Sequence, residues 1–486
     1  MNKPKEVFCY LNNEHIAGNS ASSFSVFYPG TGEKLCETTE ASIAQVDEAV
    51  DIARQSQVTW AKYSSQQRSR ILRKAANLIR QYTQKIAQLE VWDTGKPIRE
   101  ALEVDVVTAA DTVEYYANLA VTLHGDFYST NDADIYTKVE PIGVCAGIGA
   151  WNYPFQIAAW KSAPALACGN SFIFKPSELT PFSAVLLAEI YKEAGLPSGV
   201  FQVVQGGADI GRALTTHTGI QKISFTGEVQ TGKKIMADSS VNLKTLTMEL
   251  GGKSPLIIFE DTDPDVAARA ALAANFYTQG EVCTNGTRVF VPEKYLAAFQ
   301  NAIEKRTQNV VLGDPFDENV NVGALISAAH KKVVDNFIES GKAEGAKAFT
   351  LGELPSGAFA HGFFTQPVIF YNCNDHMQIV KEEIFGPVMS VLTFKDESEV
   401  IERANQTDFG LAAAVFTHDI TRMQRMIDQL HAGMVWINNY NITPVEMPFG
   451  GTKQSGFGKE NGMDTLTHYT KRKSVYISKA DVFSPF

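Results

Sequence analysis

Two side chains in this sequence have types and spacing that point to covalent chemistry: the thiol of Cys283 and the carboxylate of Glu249. Cys283 stands in Gln279-Gly280-Glu281-Val282-Cys283-Thr284, after a helix-like stretch and a glycine-containing bend, which places it at a loop mouth. Glu249 stands in Met248-Glu249-Leu250-Gly251-Gly252-Lys253-Ser254-Pro255, earlier in the chain and across one strand–helix unit. A lone cysteine is more often small buried filler, and a lone glutamate more often a surface or capping residue. Together they supply a thiolate nucleophile and a proton acceptor, two parts of a covalent route.

Six cysteines occur, Cys9, Cys36, Cys145, Cys168, Cys283 and Cys373. None forms a CxxC pair, and their spacing matches no zinc pattern. The N-terminal segment carries no apolar stretch after a basic start, so a cytoplasmic protein with free thiols is expected. The net charge of −11 repels phosphate backbones and argues against nucleic-acid partners. No apolar run is long enough to cross a bilayer as a helix, so no membrane span is expected. The basic run Lys471-Arg472-Lys473 reads as a solvated strand end.

Two glycine loops follow strand-like segments. Gly147-Ile148-Gly149-Ala150-Trp151-Asn152-Tyr153-Pro154 is similar to a dinucleotide fingerprint with Asn152 in the place of its third glycine. Taken alone, it reads as well as a tight turn. Gly227-Glu228-Val229-Gln230-Thr231-Gly232-Lys233-Lys234 is close to a phosphate loop. Lys234, however, replaces the hydroxyl residue that would hold magnesium. What remains is a glycine-flanked helix N-terminus suited to a pyrophosphate.

The elements that must position these groups follow from hydrophobic periodicity. The first part reads as mostly helical, over 43–62, 65–92 and 98–123, with a break at Asp93-Thr94-Gly95-Lys96-Pro97. Strands at 142–149, 171–175, 200–204 and 222–226 then alternate with helices at 157–167, 181–194, 209–215 and 229–237. This is the pattern of βαβ units in a parallel, doubly wound sheet. A second series begins near Thr247, with a strand at 256–260, a helix at 264–278, a strand at 288–292 and a helix from Lys294. The tail 473–478 is strand-like, a type of segment that often pairs with another subunit.

The sequence resembles the aldehyde dehydrogenase superfamily over nearly its whole length. The resemblance rests on Trp151-Asn-Tyr-Pro154, Phe174-Lys-Pro-Ser-Glu178, Phe225-Thr-Gly227, Met248-Glu-Leu-Gly-Gly252, Gly280-Glu-Val-Cys283, Glu382-Glu-Ile-Phe-Gly-Pro387 and Pro448-Phe-Gly-Gly451. Within it, Ala159–Ala167, Val282–Phe290 and Gly456–Gly462 are most similar to betaine aldehyde dehydrogenases. The resemblance implies an α/β fold of two doubly wound domains, one Rossmann-like and NAD-binding and one catalytic, plus a small β oligomerisation segment. The expected division is 1–123 with 141–246 for the cofactor domain, 247–465 for the catalytic domain, and 124–140 with 466–486 for oligomerisation. A homo-oligomer, dimer or tetramer, is implied, with a small aldehyde as the other partner.

The resemblance also implies residue roles. Cys283 is the nucleophile, Asn152 with the Cys283 N–H holds the oxyanion, and Glu249 activates the hydrolytic water. Lys161 and Glu460 form a proton relay, although an ordinary ion pair explains them as simply. Gly149, Ala150, Trp151, Lys175, Ser177, Glu178, Gly227, Gly232, Leu250, Glu383 and Phe385 contact the cofactor. Glu178 favours NAD over NADP, because a carboxylate there repels a 2′-phosphate. Glu228 departs from the small residue usual at its position and places an anion beside the pyrophosphate. Tyr153, Trp160, Tyr440 and Phe449 form an aromatic cage for a quaternary ammonium, with Glu446 adding a favourable field. Potassium is expected at Val26, Phe27 and Asp93, and again at Leu243, Lys453 and Gly456. The expected reaction is oxidation of betaine aldehyde to glycine betaine. The alternatives are another aminoaldehyde, trimethylaminobutyraldehyde or a semialdehyde.

Overall fold

Five strands lie side by side and parallel in the first sheet: Val144–Ile148, Ser171–Lys175, Phe201–Val203, Lys222–Thr226 and Thr245–Glu249. The computed structural model that shows this describes residues 3–486. Numbered along the chain, the five stand in the order 3-2-1-4-5, so the winding reverses between Val144–Ile148 and Lys222–Thr226. Both glycine loops leave the carboxyl ends of these two strands and open on one crevice, the usual ligand position of a doubly wound sheet. Every residue of Val144–Ile148, Ser171–Lys175 and the helix Pro154–Ala167 is buried, which explains their near-continuous apolar sequences.

The second sheet has the order Lys347–Thr350, Val368–Tyr371, Val388–Phe394, Arg288–Pro292, Pro255–Ile258, Ala412–Phe416 and Met434–Ile437. All its neighbours are parallel except the first edge pair. A third, antiparallel sheet pairs Thr470–Ser478 with Ala133–Pro141 along their whole length and adds Phe127–Ser129. It joins the two stretches expected to serve oligomerisation, and Phe127, Tyr128, Tyr476 and Ile477 are exposed on it. Among the described residues, no helix is long and apolar enough to cross a membrane.

Several expectations are corrected. The described chain ahead of Ser42 is not helical. It forms Cys9–Leu11, Glu14–Ile16, Ser23–Tyr28 and Glu33–Thr39. Asn12 and Asn13, at φ 52° and 67°, make the left-handed turn between the first two. The helix read over 65–92 is two helices, Ser65–Gln81 and Thr83–Thr94, broken at Tyr82. Ser42 and Ser64 start the first two helices, each in a reciprocal cap with the glutamine one turn on, Gln45 or Gln67. The helix read over 98–123 contains a widened π turn at Ala101–Asp105. The expected division at 246/247 falls inside Thr245–Glu249. The later segment Gly456–Phe457 returns to pair with that strand, so the first sheet draws on both stretches.

Candidate active site

The helix Pro264–Phe276, capped by Asp263, delivers the chain to a turn in which Thr278 (φ 49°), Gln279 (φ 42°) and Gly280 (φ 79°) are all left-handed. This stops the helix short of its expected end at 278. Each of the two non-glycine residues costs about 1–2 kcal/mol in that conformation, so surrounding contacts must hold the turn. Gly280 packs its Cα against the Gly386 carbonyl, where a side chain would overlap. Cys283 follows, half-buried. Burial, then the charges of Glu383 and Glu249, push its thiol up, while its own N–H and that of Thr284 oppose the shift. The resting group is therefore a thiol and needs a base.

Glu249 ends its strand with 3% exposure, and neither carboxylate oxygen has a hydrogen-bond partner among the described residues. Burial, reinforced by Glu460, raises its pKa well above the ordinary carboxylate value, against the pull of Lys161 and Lys459. Gly450, at φ 147°, leaves the space this carboxylate occupies. Asn152 lies between the end of Val144–Ile148 and Pro154, the first residue of the next helix. Its Nδ2 donates to the Glu281 carbonyl at 2.9 Å, which leaves its second N–H for another acceptor.

Asn152, Thr226, Glu249 and Cys283 line two cavities at once. One, about 340 Å³, is further walled by Tyr153, Gln156, Trp160, Tyr440, Phe449 and Glu460. The other, about 330 Å³, is walled by Ala150, Trp151, Gly227, Leu250, Glu383 and Phe385. The structure thus brings the Cys283 thiol, the Glu249 carboxylate and the Asn152 amide to the partition between an aromatic tunnel and the crevice of the first sheet. A group held in each cavity would meet over Cys283.

On the crevice side, Glu383 accepts the Gly252 N–H at 2.9 Å, and burial raises its pKa to about 7. Phe385, at φ 57°, packs its ring edge-on to Trp151. Lys175 is buried with its ammonium 3.7 Å from Glu178, and Ser177 is buried too; none of the three is among the residues lining the cavity. Gly149 donates to the Lys175 carbonyl at 3.0 Å, which ties the two strand ends together. Gly232 packs against Leu250. The helix Val229–Ser240 has no side-chain cap, so its first N–H groups stay free for an anion. Glu228 is exposed and lines this cavity, and its charge helps raise the pKa of Glu383.

On the tunnel side, Lys161 and Glu460 are buried partners, both bonded to Ser224 Oγ at 3.0 and 2.9 Å. Trp160 and Phe449 meet edge-to-face at 5.3 Å, and Tyr440 donates to the Thr284 carbonyl at 2.6 Å. Two parts of the expected cage are corrected. Tyr153 already carries the Lys96 ammonium 3.9 Å over its ring, so one aromatic face is taken. Glu446 is exposed and is not among the residues lining the tunnel.

The two potassium sets fare differently. Asp93 is buried, and one of its carboxylate oxygens has no partner among the described residues. Its helix packs on Ser23–Tyr28, whose pairing register shifts at Val26/Phe27. Leu243 precedes Thr245–Glu249, whereas Gly456 pairs with Glu249 at the far end of that strand. Roughly 13 Å of extended chain lies between them, so one chain does not bring Leu243 to Lys453 and Gly456.

Sequence reasoning missed His330, Gln156, Thr226 and Glu281. His330 lines the crevice and bonds the Phe385 carbonyl at 2.7 Å. Burial lowers its pKa, which keeps it neutral. His330 and Gln156 stand in none of the quoted motifs, whereas Thr226 and Glu281 stand inside Phe225-Thr-Gly227 and Gly280-Glu-Val-Cys283, where the neighbouring residues carried the signal.

The sequence profile of the Aldehyde dehydrogenase family matches residues 15–475. An aldehyde dehydrogenase from Bacillus cereus, solved as its NAD+ complex, is 39% identical, with 98% of this chain and 97% of that one covered and a TM-score of 0.94. A betaine aldehyde dehydrogenase from Staphylococcus aureus, also solved with NAD+, is 32% identical over 99% and 96%, at 0.95. An indole-3-acetaldehyde dehydrogenase complexed with NAD+ is 35% identical over 98% and 97%, at 0.95. With the site geometry, these matches show that the chain belongs to the aldehyde dehydrogenase family.

Proposed function

We propose that this enzyme oxidises an aldehyde to its acid with NAD through a thioester on Cys283, and that betaine aldehyde is its substrate. The carrying observation is the partition of Asn152, Thr226, Glu249 and Cys283 shared by the two cavities. The crevice fits the cofactor. The uncapped helix N-terminus suits a pyrophosphate, and Glu383 with Lys175 and Glu178 suits ribose hydroxyls. The Glu178 carboxylate favours NAD over NADP.

Glu249 takes the Cys283 proton, and the thiolate adds to the aldehyde carbon, forming a C–S bond. The negative oxygen is held by the Asn152 amide and the Cys283 N–H. Bound NAD supplies the acceptor for the hydride released as the C=O bond re-forms, which leaves a thioester. Glu249 then takes a proton from water as its oxygen adds to the thioester carbon. The C–S bond breaks and Cys283 regains a proton. Lys161, Ser224 and Glu460 form a route for the proton that leaves Glu249. Replacing Asn152 by alanine is expected to lower kcat by about 10²–10³ while NAD still binds. Steady-state NADH formation beside NAD titration checks this, and a loss under tenfold would remove Asn152 from the oxyanion site.

The trimethylammonium assignment is supported by Trp160, Phe449 and Tyr440, whose faces offer roughly 0.5–2 kcal/mol each to a cation that cannot donate hydrogen bonds. Trp160→Ala should raise the KM for betaine aldehyde by about tenfold and that for a neutral aliphatic aldehyde far less. Equal effects across a panel that includes aminoaldehydes would reassign the substrate. We also assign the expected cofactor and catalytic domains to the two large sheets, and oligomer formation to the exposed face of the third. Val26, Phe27 and Asp93 fit a potassium ion. Leu243, Lys453 and Gly456 do not fit one within a single chain.

A further inference from the structure

The strained turn ahead of Cys283 is held by an acid that lines neither cavity. One carboxylate oxygen of Glu100 accepts both the N–H of Thr278, at 2.8 Å, and its hydroxyl, at 3.0 Å. The same hydroxyl lies 2.7 Å from that of Tyr153, in the tunnel wall. The next residue, Gln279, donates to the Glu281 side chain at 2.8 Å, and a Glu281 oxygen accepts the Ile326 N–H at 2.9 Å. The Glu281 carbonyl in turn holds Asn152. Beside Glu100 lie Lys96 and Asp105, paired with each other, with Lys96 set over Tyr153; Glu90, which accepts the Phe155 N–H, faces the same pair. Glu90, Lys96, Glu100 and Asp105 are all buried, and none has a part in the thioester route.

We propose that Glu100 is a positioning residue of this enzyme: by clamping Thr278 it fixes where the following loop presents the Cys283 sulfur and how Tyr153 stands in the aldehyde tunnel. The proposal rests on Cys283 being the nucleophile. Both bonds are donated by Thr278, so an amide oxygen in the same place can accept them too. The clamp acts through hydrogen bonding rather than charge. It reaches the nucleophile and the tunnel, not the pyrophosphate end of the crevice.

The test compares full-length wild type, Glu100→Ala, Glu100→Gln, Thr278→Val and Cys283→Ala. The readouts are kcat, KM for NAD, and the rate of thiol alkylation by iodoacetamide assigned to Cys283 by its absence in Cys283→Ala. Glu100→Ala should lower kcat by about 10–100-fold and slow alkylation in parallel, with KM for NAD within twofold of wild type. Glu100→Gln should recover kcat and alkylation to within about threefold. Thr278→Val keeps the side-chain volume and should shift both readouts the same way, and it carries the test if Glu100→Ala does not fold. Unchanged kcat and alkylation in a folded Glu100→Ala or Thr278→Val enzyme would overturn the proposal alone. So would Glu100→Gln as impaired as Glu100→Ala. Activity surviving in Cys283→Ala would instead overturn the nucleophile reading and take the proposal with it.

Discussion

Cys283→Ala is expected to lower aldehyde-dependent NADH formation by about 10⁴-fold or more while NAD binding persists. An aldehyde carbon does not release hydride readily until a nucleophile has added and placed negative charge on oxygen. Removing the sulfur removes that adduct, and among the described residues no second thiol lines either cavity. The other cysteines cannot substitute: Cys9, Cys36, Cys145 and Cys168 are buried in the cores, and Cys373 is half-buried away from the partition. Absorbance at saturating aldehyde and NAD measures the rate, and fluorescence titration with NAD shows that the crevice is intact. A residual rate within 100-fold of wild type would refute the covalent route.

Glu249→Gln should lower kcat by about 10²–10⁴ and change the form of the time course. Acylation leaves a thioester that the amide cannot help water attack. NADH should therefore appear as a burst, slowed by loss of the same base toward the Cys283 thiol, that approaches the number of sites and then nearly stops. Intact-protein mass after the burst should show the acyl adduct on Cys283. The pH dependence follows from the buried carboxylate. Because its pKa is raised, the basic form fills only as pH climbs through that raised value. Hydrolysis should thus fall on an acid limb lying above the normal carboxylate range, and the limb should vanish in the variant. Loss of the burst itself would show that acylation too depends on Glu249 as the base for the Cys283 thiol.

The strand–helix alternation from 142 to 237 was legible because each strand is a short buried run and Pro154, Pro181 and Gly195 mark helix ends. The N-terminal hairpin was not, since its strands are too short to show a period. The tunnel rings could be named from their motifs, but not the ammonium over Tyr153, which comes from Lys96 in a much earlier segment of the chain. Thr278 and Gln279 conceal their left-handed turn, because neither residue type signals it. Glu100 reads in the sequence as one more charged residue on a helix surface. Its burial depends on the packing of a loop far along the chain. Leu243 and Gly456 show the converse, since residues assigned to one ion stand at opposite ends of a strand.

The shared partition has a consequence for ligands that resemble neither substrate. A molecule filling the aromatic tunnel and one filling the crevice would face each other across four side chains. A short tether threading that opening would turn the second binding event into an intramolecular one. Effective concentrations for such tethers reach the millimolar range, so two weak halves would combine into a tight inhibitor. Its selectivity would come from the tunnel half, where the rings and the Lys96-capped tyrosine distinguish this enzyme's aldehyde, while the crevice half supplies affinity.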